Sequence, residues 1–215
     1  MCSHYQALKD RARFEKQFNV KLPPYAGVYD VWSTYAALFI RRPHEADVGH
    51  EDVHERWALA GQFGLVPHWA KDEKFGRRTF NARSETAATL PGFRDAWRKC
   101  QRCITPAEAT FEPDWRSGKA IPTRITRADG EPMGIAGRWS WWRSPAGEEL
   151  HSSTMLTINA TEHGLMRNFH KPADEKRMVV ILPEAAYDHW LTAPAGSGMD
   201  FMRPHPAERL TAIGP

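Results

Sequence analysis

Cysteine is scarce: Cys2, Cys100 and Cys103 are the three in 215 residues. That is too few to staple a disulfide scaffold, and no second CxxC accompanies Cys100-Gln101-Arg102-Cys103 to complete a zinc site. Both of those cysteines read as structural. Long apolar runs are missing too. None approaches the ~18–20 residues that a membrane-spanning helix needs, and the N-terminal stretch lacks the apolar core of a secretory signal. Charge of one sign is also lacking. A net charge of +3 permits a nucleic-acid partner only where basic residues cluster. No internal repeat is visible. These absences predict a protein without membrane association, a monomer in a reducing cytoplasm that keeps Cys2 as a free thiol.

What is present suits one folded body. Hydrophobic residues make up 41% and charged residues 26%, ordinary shares that can build a core at this length. Tryptophan is over-represented, with nine residues. Most read as packing, and one or two read as platforms for unpaired bases.

The hydrophobic pattern predicts a helix over about 4–18, ended by Pro23-Pro24, and a strand over 28–40. A polar loop follows to about residue 55. Residues 57–71 read as a strand entering a Pro-containing turn. A short helix is expected over 84–97, then strands near 102–106, 121–125, 133–142 and 152–159. A short helix over 161–169, a compact strand over 177–182 and a helix over 184–191 complete the pattern. Ala, Pro and Gly beyond Thr192 predict a loose tail over 193–215.

Residues His50-Glu51-Asp52-Val53-His54 spell H-E-x-x-H, the helical spacing that holds zinc between two imidazoles in zinc peptidases. Gly49 precedes it, the surroundings are polar, and no third ligand stands out. It reads as a solvated loop, and no metal or cofactor is expected.

Met1-Cys2 carries more chemistry. Removal of Met1 would leave Cys2 with an α-amine and a thiol on adjacent carbons, with unperturbed pKa values near ~8 and ~8.5. Both are partly nucleophilic at cellular pH. An aldehyde can be taken by the amine as a Schiff base and closed on by the thiol as a five-membered thiazolidine.

Further motifs follow in order: FGLVPHWAK at 63–71, FNARSET at 80–86, RCITPAEATFEP at 102–113, FH at 169–170 and RMVVILP at 177–183. With Met1-Cys2, this set resembles the SOS response-associated peptidase (SRAP) family from residue 2 to about residue 190. The resemblance implies an α+β single domain over 1–192, built on a curved, mostly antiparallel, barrel-like sheet with flanking helices. It implies binding of single-stranded DNA and covalent trapping of abasic sites, with self-removal of Met1 as the peptidase activity. The positions that match the family's site are Cys2, Asn81, Glu112 and His170, with His163 as the alternative histidine. Three features depart from the family's pattern: Ser3 after the cysteine, Pro113 after the glutamate, and Lys171–Lys176 between the histidine and the Arg-Met strand.

The residue types fit that chemistry. An abasic deoxyribose is mostly a closed hemiacetal, and opening it needs an acid and a base; Glu112 and His170 are the candidates. Asn81 does not titrate and would orient the amine or the sugar. Arg83 would hold a phosphate, with Arg77, Arg78 and Lys71 beside it. Trp69 would stack on a base next to the lesion. The Schiff base would acidify the neighbouring carbon and permit strand nicking by β-elimination. Three other readings stay open: a peptidase with Cys2 as nucleophile, a noncatalytic single-strand binding module, and a zinc peptidase using His50, Glu51 and His54.

Overall fold

The computed structural model describes residues 3–24, 27–43 and 56–214. The chain opens with strand β1 (His4–Gln6), helix α1 (Arg11–Phe18) and strands β2 (Asp30–Trp32), β3 (Ala36–Arg41) and β4 (Trp57–Phe63). Strand β5 (Asn81–Arg83), helix α2 (Arg94–Arg98) and strands β6 (Arg102–Ala107), β7 (Ala109–Asp114) and β8 (Ile121–Arg127) follow. Two long strands, β9 (Met133–Arg143) and β10 (Glu149–Asn159), form a hairpin. Strands β11 (Arg177–Val179) and β12 (Ile181–Leu182), helix α3 (Tyr187–Thr192) and strand β13 (Leu210–Ile213) end the chain.

The strands make two sheets. One runs β13-β8-β7-β1-β2, antiparallel throughout. The other runs β11-β10-β4-β3-β6-β9-β12, and the β10–β9 pairing closes five of its strands into a barrel-like ring. The expected α+β architecture with a barrel-like, mostly antiparallel sheet is what the chain adopts. Ring closure demands close strand approach, and Gly137 on β9 supplies it. A Cβ there would lie 2.4 Å from the carbonyl oxygen of Thr154 on β10 and 2.9 Å from Cys103 Sγ on β6. The ring also explains why β9 and β10 lack a clean apolar–polar alternation: most of their residues are buried on both faces.

Several boundaries differ from expectation. The helix expected from His4 begins only at Arg11, where the Asp10 side chain accepts from the Arg13 amide. His4–Gln6 pairs instead with two strands, burying Tyr5 between Val31 and Thr110. The strand expected over 28–40 is divided by a turn in which Thr34 has φ 71°. The helix expected over 84–97 starts only at Arg94, as α2 (Arg94–Arg98), the preceding residues forming turns. The helix expected over 161–169 is reduced to a 3-10 turn at Met166–Asn168. Between β11 and β12, Val180 donates to Leu156 O on β10 and accepts from Ala136 N on β9, so the segment crosses from one strand to the other.

The tail expected to be loose is folded onto the body. Arg102 donates to the carbonyls of Ala193 and Pro194, with its guanidinium over the Trp190 ring. Residues Leu210–Ile213 then pair with β8. The pairing joins Leu210–Ile213 to a strand more than eighty positions earlier, so the Ala- and Pro-rich composition of the preceding segment gives no warning of it.

Two of the three cysteines fall within the described residues. Cys103 is fully buried against Phe39 and Trp139, and burial pushes its thiol pKa up. Cys100 is half-buried at φ 51°. Cys103 at least is therefore an inert packing group.

Candidate active site

Glu112 lies mid-strand on β7, opposite Thr123 of β8, and is 2% exposed. Burial raises its pKa from 4.5 to about 7. His170 Nε2 lies 3.4 Å from Glu112 Oε2 and 3.1 Å from the carbonyl of Arg177. A carbonyl only accepts, so Nε2 carries the proton in that contact and faces both oxygens with it. Burial lowers the His170 pKa, and the charge of Lys176 acts the same way. Both shifts favour uncharged forms. The contact is better described as a neutral carboxylic acid beside a neutral imidazole than as an ion pair.

His170 reaches this place through an unusual backbone. Its φ is 66°, in the left-handed region, a conformation that costs an ordinary residue of order 1 kcal/mol. Its amide donates to Pro113 O at 2.8 Å, and Phe169 bridges to Asp114. The residue after Glu112 thus fixes the residue that faces Glu112. His163, the alternative histidine, is used elsewhere. Its Nδ1 accepts from the amides of Leu165 and Met166, and its Nε2 donates to His205 O at 2.7 Å. That assigns a neutral imidazole closing a turn, away from the Glu112 pair.

Asn81 and Arg83 sit two apart on β5, which adds parallel to β10 with Asn81 opposite Met155 and Arg83 opposite Thr157. Asn81 is buried and the Arg83 side chain is half-exposed. A chain of contacts links Arg83 to the acid–imidazole pair. Arg83 is 2.7 Å from Glu175, Glu175 contacts Arg177, and the Arg177 carbonyl meets His170. Arg177 is 2% exposed and donates twice to Glu85, at 3.0 and 2.9 Å, and to Thr157 O. Glu85, Glu175 and Arg177 escaped the sequence reading. Glu85 stands inside FNARSET and Arg177 opens RMVVILP, so the signal was present, but their pairing spans 92 positions.

The loop carrying Trp69 leaves β4 through Gly64, whose φ is 127°. Its hypothetical Cβ would lie 2.2 Å from Gly76 O. Trp69 is 44% exposed and meets the Phe75 ring edge-on at 5.1 Å. Lys71, Arg77 and Arg78 are exposed on the same stretch, before β5. At the other end of the chain, His4 stacks between Trp32 and Phe111 at 4.2 Å from each. The segment two residues beyond Cys2 is thereby anchored beside the neighbour of Glu112. Cys2 itself and the His50-Glu51-Asp52-Val53-His54 segment lie outside the described residues. A cavity of about 650 Å³ is lined by residues such as Arg41, His68, Trp139, Trp141 and His151, and by none of Asn81, Glu112 or His170.

The family model described as SOS response associated peptidase (SRAP) matches residues 1–213. The chain belongs to the SRAP family. It is 34% identical over 156 residues to the abasic site processing protein YoqW of Bacillus subtilis, a match covering 70% of this chain and 66% of YoqW. With the abasic site processing protein HMCES of Gallus gallus it shares 26% identity over 178 residues, 71% of this chain and 51% of that protein. The matched region thus spans roughly half to two-thirds of these SRAP relatives. A crystal structure of a Bordetella bronchiseptica protein superposes with a TM-score of 0.89 at 51% identity, covering 100% of this chain and 99% of that one. A Bacteroides thetaiotaomicron structure at 20% identity and TM-score 0.81 shares the fold. Among the described residues, no helix is long and apolar enough to cross a membrane.

Proposed function

We propose that this protein processes abasic sites in single-stranded DNA by linking Cys2, freed of Met1, covalently to the sugar aldehyde. The observation that carries the reading is the buried Glu112–His170 pair, with Glu112 poised at a pKa of about 7. A group that titrates near neutrality can both give and take a proton, as this chemistry requires. The sequential names of the relatives point the same way, since YoqW and HMCES are both abasic site processing proteins.

On ring opening the C1′–O4′ bond breaks, O4′ gains a proton and the anomeric hydroxyl loses one; Glu112 and His170 form the acid–base couple. The Cys2 amine adds to the C1′ aldehyde, and water leaves from the resulting carbinolamine with a proton relayed by Glu112. The Cys2 thiol then adds across the C=N bond, its sulfur to carbon and its proton to nitrogen, closing the thiazolidine. Asn81 orients the amine or the sugar. Arg83 binds a flanking phosphate, with Lys71, Arg77 and Arg78 adding to the field, and Trp69 stacks on a neighbouring base.

The test is a denaturing gel of the protein with a single-stranded oligonucleotide carrying one abasic site. Intact DNA and the Cys2→Ala variant run beside it. The expected result is a shifted band only for wild type with the abasic strand. No shifted band from protein whose mass confirms a Cys2 terminus would overturn the reading and favour peptide substrates for the same thiol.

A further inference from the structure

Glu175 lies in the exposed segment between His170 and β11, and its carboxylate is divided between two arginines. One oxygen is 2.7 Å from Arg83 Nη1. The other accepts from Arg177 Nη1 at 2.8 Å and from Asn159 Nδ2 at 3.0 Å. The two arginines differ in freedom. The Arg177 side chain is 3% exposed and is held independently by Glu85 and Thr157. The Arg83 side chain is 48% exposed. Arg83 can therefore leave the carboxylate while Glu175 stays anchored on Arg177 and Asn159.

A carboxylate and a phosphate make the same kind of demand on a guanidinium: a pair of anionic oxygens accepting charge-assisted N–H bonds. A phosphate arriving at Arg83 would meet Glu175 already in place, and the two anions would repel at that distance. We propose that Glu175 is a built-in competitor for the DNA phosphate at Arg83, occupying the guanidinium until a strand displaces it. The inference rests on the DNA-binding reading above and deepens it. It assigns Glu175 a part in setting how tightly the strand must bind before Arg83 is released to it. A nonspecific contact with an unlesioned strand must displace the carboxylate for a single phosphate, whereas a strand held also at the lesion does so with added binding energy.

The test is equilibrium binding of an intact, fluorescently labelled single-stranded oligonucleotide, followed by anisotropy at one fixed low salt concentration. An intact strand keeps the crosslinking step out of the measurement. Because the Arg83–Glu175 pair is partly solvated, the expected gain for Glu175→Gln is modest, about 2- to 5-fold tighter than wild type. The glutamine can still accept from Arg177, which preserves the anchor. Glu148→Gln, on the exposed turn between β9 and β10, reports the gain from removing any one negative charge and should give less. In an Arg83→Ala background, Glu175→Gln should give no more than that control. Unchanged or weaker binding by Glu175→Gln would overturn the proposal, and so would a gain that persists without Arg83. If wild type and variants alike fail to bind, the DNA reading itself falls and this inference with it.

Discussion

His170 Nε2 lies 3.4 Å from Glu112 Oε2, and both side chains are buried. Burial alone accounts for the direction of both pKa shifts, because it penalises whichever form is charged. Glu112 can therefore exchange a proton near neutrality, where a solvent-exposed glutamate would already be ionised.

The first consequence concerns rate. The proposed crosslinking would need Glu112 protonated as an acid and the Cys2 amine deprotonated as a nucleophile. The rate should fall above pH ~7 as Glu112 ionises and below pH ~8 as the amine protonates, giving a narrow optimum between the two. Glu112→Gln should slow crosslinking by roughly 10²–10⁴-fold and remove the alkaline fall. Single-turnover gels across about pH 5.5 to about pH 9 read both effects. An alkaline fall that survives in Glu112→Gln would mean that another group is responsible.

Stability should carry the same signature. The Glu112 pKa is about 7 in the folded chain against 4.5 for the free group. Between those values the folded state holds more protons than the unfolded state, so stability is full below the lower one and is lost as pH rises through the upper one. The loss attributable to Glu112 is roughly 3 kcal/mol. His170, whose pKa is lowered, acts in the opposite sense at lower pH and contributes to wild type and variant alike. Urea unfolding should show wild type losing stability relative to Glu112→Gln between pH 5 and pH 8, about three units apart. Parallel curves would contradict the buried, neutral acid.

Gly64 tests the loop that presents Trp69. Its φ of 127° is closed to residues with a Cβ, and a Cβ there would lie 2.2 Å from Gly76 O. Gly64→Ala should destabilise the protein by roughly 2–3 kcal/mol. It should also weaken single-strand binding, because Trp69 and the basic residues up to Arg78 hang from this turn. A variant with unchanged melting temperature and unchanged binding would show that the loop is not held as described.

The candidate site was legible in part because its motifs are local. FNARSET carries Asn81 and Arg83 on one short strand, and FEP carries Glu112 beside the proline whose carbonyl fixes His170. The family resemblance pointed to His170 with His163 as the alternative, but residue type and spacing alone did not separate the two; the fold brings His170 to Glu112 and ties His163 to His205.

The segment His4–Gln6 has too few residues for a period to separate strand from helix, and its neighbours on β2 and β7 are distant in sequence. The tail's β13 is the same case. Residue types and local spacing by themselves determined which groups the chain offers: a cysteine at position 2, an acid, an imidazole, an amide and a basic stretch. The tertiary structure decided which of those groups meet and in what protonation state. Contacts such as Glu112 with His170, or Arg83 with Glu175 and Arg177, join residues far apart in sequence, and burial, which sets the pKa of Glu112, is a property of the folded surroundings rather than of the residue.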